Sequence, residues 1–166
     1  MKEIERKFLV KELPDLSKIK PVKQERYYIK QELDKQVRIQ RKDNSYEMES
    51  KNYLGPLQYE KVKQTISKDT FEMYKKGCQK GIFRDSYLIC VKPIITIKQY
   101  HGDYEGFTRV EIEFDTLEQA CTYNLPNWIG KEITNTPLGL DSELLKLNKK
   151  EFKKCLRELS GEENHE

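Results

Sequence analysis

Two histidines and four cysteines are the whole supply of imidazole and thiol metal ligands in this 166-residue chain. Cys78, Cys90, Cys121 and Cys155 lie far apart with no Cys-x-x-Cys pair, which argues against a zinc site and a disulfide framework and leaves reduced thiols as the expectation. No apolar run approaches the roughly 20 residues of a membrane span, and the amino terminus is charged rather than signal-like. A cytoplasmic protein without a membrane partner is therefore expected. An excess of one charge is missing too: 31 basic against 28 acidic residues leave a net +3, weak attraction for a polyanion as long as nucleic acid, which is not expected as a partner. No Pro/Gly/Ser-rich linker divides the chain, so residues 1–159 are expected to form one domain and 160–166 a frayed polar tail.

What remains is charge and aromatics. Asp, Glu, Lys and Arg make up 36% of the residues and hydrophobic ones another 36%, including ten Tyr and six Phe, enough for a core with charge left over. Much of that charge alternates with apolar residues. In residues 1–10, MKEIERKFLV, period two puts Glu3, Glu5 and Lys7 on one face and Ile4, Phe8 and Val10 on the other. Residues 37–42 set out Arg38, Gln40 and Lys42 in the same way. After the turn at 43–45, residues 46–51 do so with Glu47, Glu49 and Lys51, which predicts a hairpin. Further strands are predicted at 26–30, 57–66 with Glu60 in its middle, 87–100 interrupted by Pro93, and 107–114, where Arg109, Glu111 and Glu113 oppose Val110, Ile112 and Phe114. Helices are predicted at 68–80, at 116–123 opening on the capping-box pattern Thr116-Leu117-Glu118-Gln119, and at 141–159, whose stripe runs Leu144, Leu145, Asn148, Phe152, Cys155, Leu156 and Leu159.

A polar face on one antiparallel strand is ordinarily a solvated face. Recurrence over at least four strands, each with an apolar reverse side for helices to cover, leaves the charged faces of this antiparallel α+β sheet either open to solvent or wrapped around a lumen, and closure into a barrel would also remove the exposed edges. Glu-x-Glu on a strand aims two carboxylates the same way, about 6 to 7 Å apart, a spacing that flanks a hydrated hard ion such as Mg²⁺ or Mn²⁺. Lysine and arginine beside them would hold phosphate oxygens. Such a mixture fits a polyanion bound together with its metal.

Glu3-Ile4-Glu5-Arg6-Lys7, Val37-Arg38-Ile39-Gln40, Lys51, Glu111-Ile112-Glu113 and Pro126-Asn127-Trp128-Ile129-Gly130-Lys131-Glu132-Ile133-Thr134 follow one another in the order of the motifs of the CYTH family, the triphosphate tunnel metalloenzymes, which the chain resembles from residue 1 to about 146. The resemblance implies a closed eight-stranded antiparallel β-barrel, a tunnel with helices packed outside. It implies metal coordination by Glu3, Glu5, Glu111 and Glu113, joined by Glu60 on the R-x-E-x-E strand, and triphosphate contacts from Lys7, Arg38, Lys51, Lys92, Lys98 and Lys131. Glu3, Glu5 and Lys7 form the implied catalytic set. Three positions depart from the family pattern: Gln40 replaces an arginine, Lys92-Pro93-Ile94 replaces K-x-R, and Lys98 stands where an aspartate is typical. An acid replaced by a base bears on turnover more than on binding.

The expected function is metal-dependent hydrolysis of a small triphosphate, inorganic tripolyphosphate first, with Mg²⁺ or Mn²⁺ as cofactor. The alternatives are a triphosphate- or nucleotide-binding protein with the same tunnel and no turnover, and a class IV-like adenylate cyclase. A homodimer stays open. His101 is expected on the surface, Trp128 in the core, and Lys149, Lys150, Lys153 and Lys154 on a solvated helix face.

Overall fold

The computed structural model describes residues 1–161. Nine strands form one sheet: β1 (Lys2–Val10), β2 (Val22–Gln31), β3 (Lys35–Lys42), β4 (Ser45–Gly55), β5 (Gln58–Thr65), β6 (Ile82–Val91), β7 (Ile94–Tyr100), β8 (Thr108–Phe114) and β9 (Ile129–Glu132). Their spatial order is β5-β4-β3-β2-β6-β7-β8-β1-β9, and a further antiparallel pairing of β5 with β1 closes the first eight into a barrel. Beyond Ile4, β1 exchanges β5 for β9, which meets it at Phe8 and Val10 outside the barrel wall.

The barrel is polar within and apolar without. On β1 the outward residues Ile4 and Phe8 join Ile97, Val110 and Ile112 in the largest hydrophobic cluster, while Glu3, Glu5 and Lys7 point inward. Arg6, outward among apolar neighbours, ion-pairs with Glu132 at 2.6 Å and donates to the Ala120 carbonyl. Helix α1 (Lys68–Lys75), capped by the Ser67 hydroxyl, seats Phe71 on Tyr27 and Ile39. It ends well short of the expected residue 80, with Gly77 just past the Lys76 cap. Helix α2 (Leu117–Thr122) is capped by Thr116 as expected, but Gln119 reaches back to the Asp115 amide, so the expected box does not close on Thr116.

The helix expected over 141–159 is two helices, α3 (Asp141–Leu144) and α4 (Lys149–Ser160). Asn148, read as part of one apolar stripe, caps α4 in a reciprocal box with Glu151; its side chain competes for the backbone and starts a new helix. Ser160 closes α4 and Gly161 caps it with φ of 75°; the other residues of the expected tail, 162–166, lie outside the described ones. The run 87–100 is a hairpin of β6 and β7 turning at Lys92-Pro93. Among the described residues no helix is long and apolar enough to cross a membrane.

Candidate active site

Period two decides what enters the tunnel. Residues directly opposite in a ladder share a face, so the register Glu5↔Glu113, Glu3↔Tyr59, Arg38↔Glu49 and Lys98↔Arg109 brings these side chains into one cavity of about 550 Å³. Glu3, Glu5, Lys7, Arg26, Arg38, Glu49, Lys61, Lys98, Arg109, Glu111 and Asp141 are all buried. Burying so many charges is tolerable only because they neutralise one another.

The charges are sorted. Oxygen atoms of Glu3, Glu5 and Glu113 lie within 4.8 Å of one another. Lys51 spans the first two, 2.6 Å from Glu3 and 3.2 Å from Glu5, while Lys61 stands 2.9 Å from Glu3 and Lys7 3.4 Å from Glu5. Arg38 donates to Glu49 at 2.6 Å. Farther along, Glu111 accepts from Arg109 at 2.6 Å and from Arg84 at 3.1 Å. Lys98 has no carboxylate within ion-pair distance among the described residues; its ammonium donates to the Ser86 hydroxyl at 2.7 Å.

Burial by itself would raise the Glu5 carboxyl, but Lys51 and Lys7 overcome it and hold it well below the usual range. Glu113 goes the other way, raised by burial and by its neighbours Glu3 and Glu5. Lys98 is pushed down to about 7, by burial first and then by Arg84, Arg26 and Arg109, against the pull of Glu111.

The carboxylate cluster fits a hard divalent cation. Its three carboxylates supply oxygen only, Glu113 is raised by burial and then by the like charges of Glu3 and Glu5, and the buried Glu3 Oε1 accepts no hydrogen bond despite Lys51 alongside.

Of the residues singled out in the sequence, Glu3, Glu5, Lys7, Arg38, Lys51, Lys98, Glu111 and Glu113 line the cavity. Three do not. Glu60 opposes Lys2 on the outer face of β5 and accepts from the Met1 amino group at 2.7 Å; its neighbours Tyr59 and Lys61 are the inward ones. Lys92 is exposed in the β6–β7 turn, and Lys131 is exposed on β9, which is not part of the barrel wall. Sequence reading passed over Arg26, Glu49, Lys61, Arg84, Arg109 and Asp141 as site residues. Glu49 and Arg109 already sat on recognised charged faces, whereas the buried Arg84 shares its face of β6 with Ile82 and Ser86 in a segment, IFRDSY, that does not alternate between apolar and polar residues. Gln40 is no vacancy: fully buried, it accepts from Arg26 and donates to Glu47.

A closed antiparallel barrel whose interior opposes a carboxylate cluster to a ring of cations defines a class, the β-tunnel proteins built to enclose a small, densely charged solute. No protein-family model matches the chain. The inorganic triphosphatase of Acetivibrio thermocellus is 31% identical to it over 166 aligned residues, covering 92% of this chain and 98% of that protein. Among solved structures, the inorganic triphosphatase NE1496 superposes with a TM-score of 0.63 at 23% identity, covering 86% of this chain and 93% of its own. A protein of Pyrococcus furiosus superposes with 0.54 at 18% identity over 98% and 92%. The chain belongs to the CYTH family, the triphosphate tunnel metalloenzymes.

Proposed function

We propose that the chain hydrolyses inorganic tripolyphosphate with Mg²⁺ or Mn²⁺, in the cytoplasm. One observation carries the reading: the Glu3–Glu5–Glu113 cluster and the cations Lys7, Arg38, Lys51 and Lys61 share one cavity inside the barrel. Kinship supports it, since the relative that spans nearly the whole chain is an inorganic triphosphatase. Four unpaired cysteines suit a reducing compartment.

Glu3, Glu5 and Glu113 would hold the ion, which when bound supplies Lewis-acid polarisation of a phosphoryl oxygen. Lys7, Lys51 and Lys61, already placed among those carboxylates, would turn to the phosphate oxygens, and Arg38 and Lys98 would grip the rest of the chain. Buried walls exclude bulk water and strengthen these interactions. Water attacks the terminal phosphorus, the anhydride P–O bond breaks in line with it, and pyrophosphate leaves. Positioning and electrostatics supply the rate; no side chain becomes covalently attached.

The test is orthophosphate release from tripolyphosphate, ATP and thiamine triphosphate with each metal and with EDTA. Metal-dependent release that favours tripolyphosphate is expected. Tight binding without release from any of them would make the chain a binding protein instead.

A further inference from the structure

One carboxylate in the tunnel comes from outside the barrel. Asp141 opens α3, is 3% exposed, and lines the same cavity as Glu5 and Lys7. Its Oδ1 accepts from the Tyr100 hydroxyl at 2.6 Å and lies 3.1 Å from Arg109; its Oδ2 lies 3.1 Å from Arg26 and 3.2 Å from Arg84. Three guanidinium groups and a phenol around one small anion form the donor set that a phosphate oxyanion would use. Burial would raise this carboxyl, but Arg109, Arg84 and Arg26 hold it well below its ordinary range, so it stays an anion. Glu111 shares two of those arginines, which leaves two carboxylates for three guanidiniums with the unpaired Lys98 close by.

The placement along the tunnel matters as much as the charge. The inward positions of β8 run Arg109, Glu111, Glu113; Asp141 meets the first, and the carboxylate cluster contains the last. Four residues of strand put these about 13 Å apart, room for an extended triphosphate and one ion. The Tyr104 hydroxyl, donating to the Leu144 carbonyl at 2.9 Å, and the Gln36 amide, donating to the Ser142 hydroxyl at 2.8 Å, fasten α3 at this end.

We propose that Asp141 is a positioning residue that stands in for a phosphate at the α3 end of the tunnel: it holds Arg26, Arg84 and Arg109 converged and stops a triphosphate at the depth that sets its scissile anhydride beside Glu3, Glu5 and Glu113. The inference rests on the hydrolase reading above. It makes the α3 end of the tunnel a ruler, with an amino-acid carboxylate as its stop.

The experiment compares wild type with Asp141→Asn, which keeps the shape and the acceptor for Tyr100 but removes the charge. Orthophosphate should inhibit the variant at a concentration about tenfold lower than wild type, because the arginines then lack a counter-anion. The same orthophosphate should raise the melting temperature of the variant and not that of wild type. With tripolyphosphate, kcat should fall about tenfold while KM holds or drops, the signature of a substrate bound well but out of register. Asp141→Glu, which restores the charge, should recover resistance to orthophosphate. An unchanged orthophosphate response, or a raised KM with kcat intact, or a gain in phosphate affinity with no loss of kcat, each overturns the proposal. Should Asp141→Asn fail to fold, Asp141→Ser is read the same way. The thermal shift needs no turnover, so with an inactive wild type, which would sink the hydrolase reading, it still decides whether Asp141 occupies a phosphate site.

Discussion

Glu5 and Glu113 face each other directly across the β1–β8 ladder, and with Glu3 they put three carboxylates within 4.8 Å in a buried place. Their mutual repulsion is visible in Glu113, whose carboxyl burial and its two neighbours raise above the usual value. A proton on Glu113 competes with a cation for the same oxygen. Mn²⁺ affinity should therefore rise with pH through the raised carboxylate range, with proton release in calorimetry. Glu113→Gln should flatten that dependence and weaken binding by about 10- to 100-fold. A pH-independent affinity in wild type would remove Glu113 from the site.

Residues outside the lumen provide the opposite expectation. Glu60→Gln, Lys92→Ala and Lys131→Ala should each leave kcat/KM for tripolyphosphate within about twofold of wild type, since Glu60 faces away from the lumen and the exposed Lys92 and Lys131 contribute little. A loss of a hundredfold in any of them would mean that the motif alignment, not the face of the strand, had identified the site.

How far the tunnel was legible in the sequence follows from the same contrast. β1, β3, β4 and β8 alternate cleanly, and an alternation fixes both a strand and the face each residue occupies, so Glu3, Glu5, Lys7, Arg38, Lys51, Glu111 and Glu113 fell where period two put them. Glu60 came from the family's R-x-E-x-E pattern, in a strand whose inward residues are Tyr59 and Lys61; only the Glu3↔Tyr59 pairing settles which parity faces in. Lys92 and Lys131 came from motif order, which carries no information about facing. Asp141 had no local signal, because its partners Arg26, Arg84 and Arg109 are brought to it by three different strands. The break between α3 and α4 was signalled by Asn148 three residues before Glu151, but the apolar spacing ran on across it.

Lys98 makes stability depend on pH with a definite sign. Its ammonium is pushed from 10.5 down to about 7 in the folded chain, by burial above all. Between those values the unfolded chain holds the proton and the folded chain has released it, so stability rises with pH across that window. Below about 7 both states are charged and the burial cost is borne in full. Lys98→Met should accordingly stabilise the protein most below pH 7, with an advantage that shrinks toward pH 10. Urea midpoints at pH 6 and pH 9 read this directly; an advantage that does not shrink with pH would show that Lys98 stays charged when folded.

Gly139 secures the end of the tunnel through close approach. A methyl added there would sit 2.1 Å from the Ile133 carbonyl oxygen and 2.7 Å from that of Thr134, neither of which is a yielding side chain. Gly139→Ala should cost about 1–3 kcal/mol and shift the segment that carries Asp141. Chemical denaturation with a parallel kcat/KM measurement checks both; full stability with full activity would show that the turn has room to spare.

Glu5→Gln tests the central claim most directly, because Glu5 is buried, touches Lys51 and Lys7, and belongs to the carboxylate cluster. The measurement is metal-dependent orthophosphate release from tripolyphosphate by wild type and by this variant, with circular dichroism on both. The account predicts EDTA-sensitive release by wild type and a loss of at least about a hundredfold in the variant with the fold retained. Equal release by the two folded proteins would contradict it.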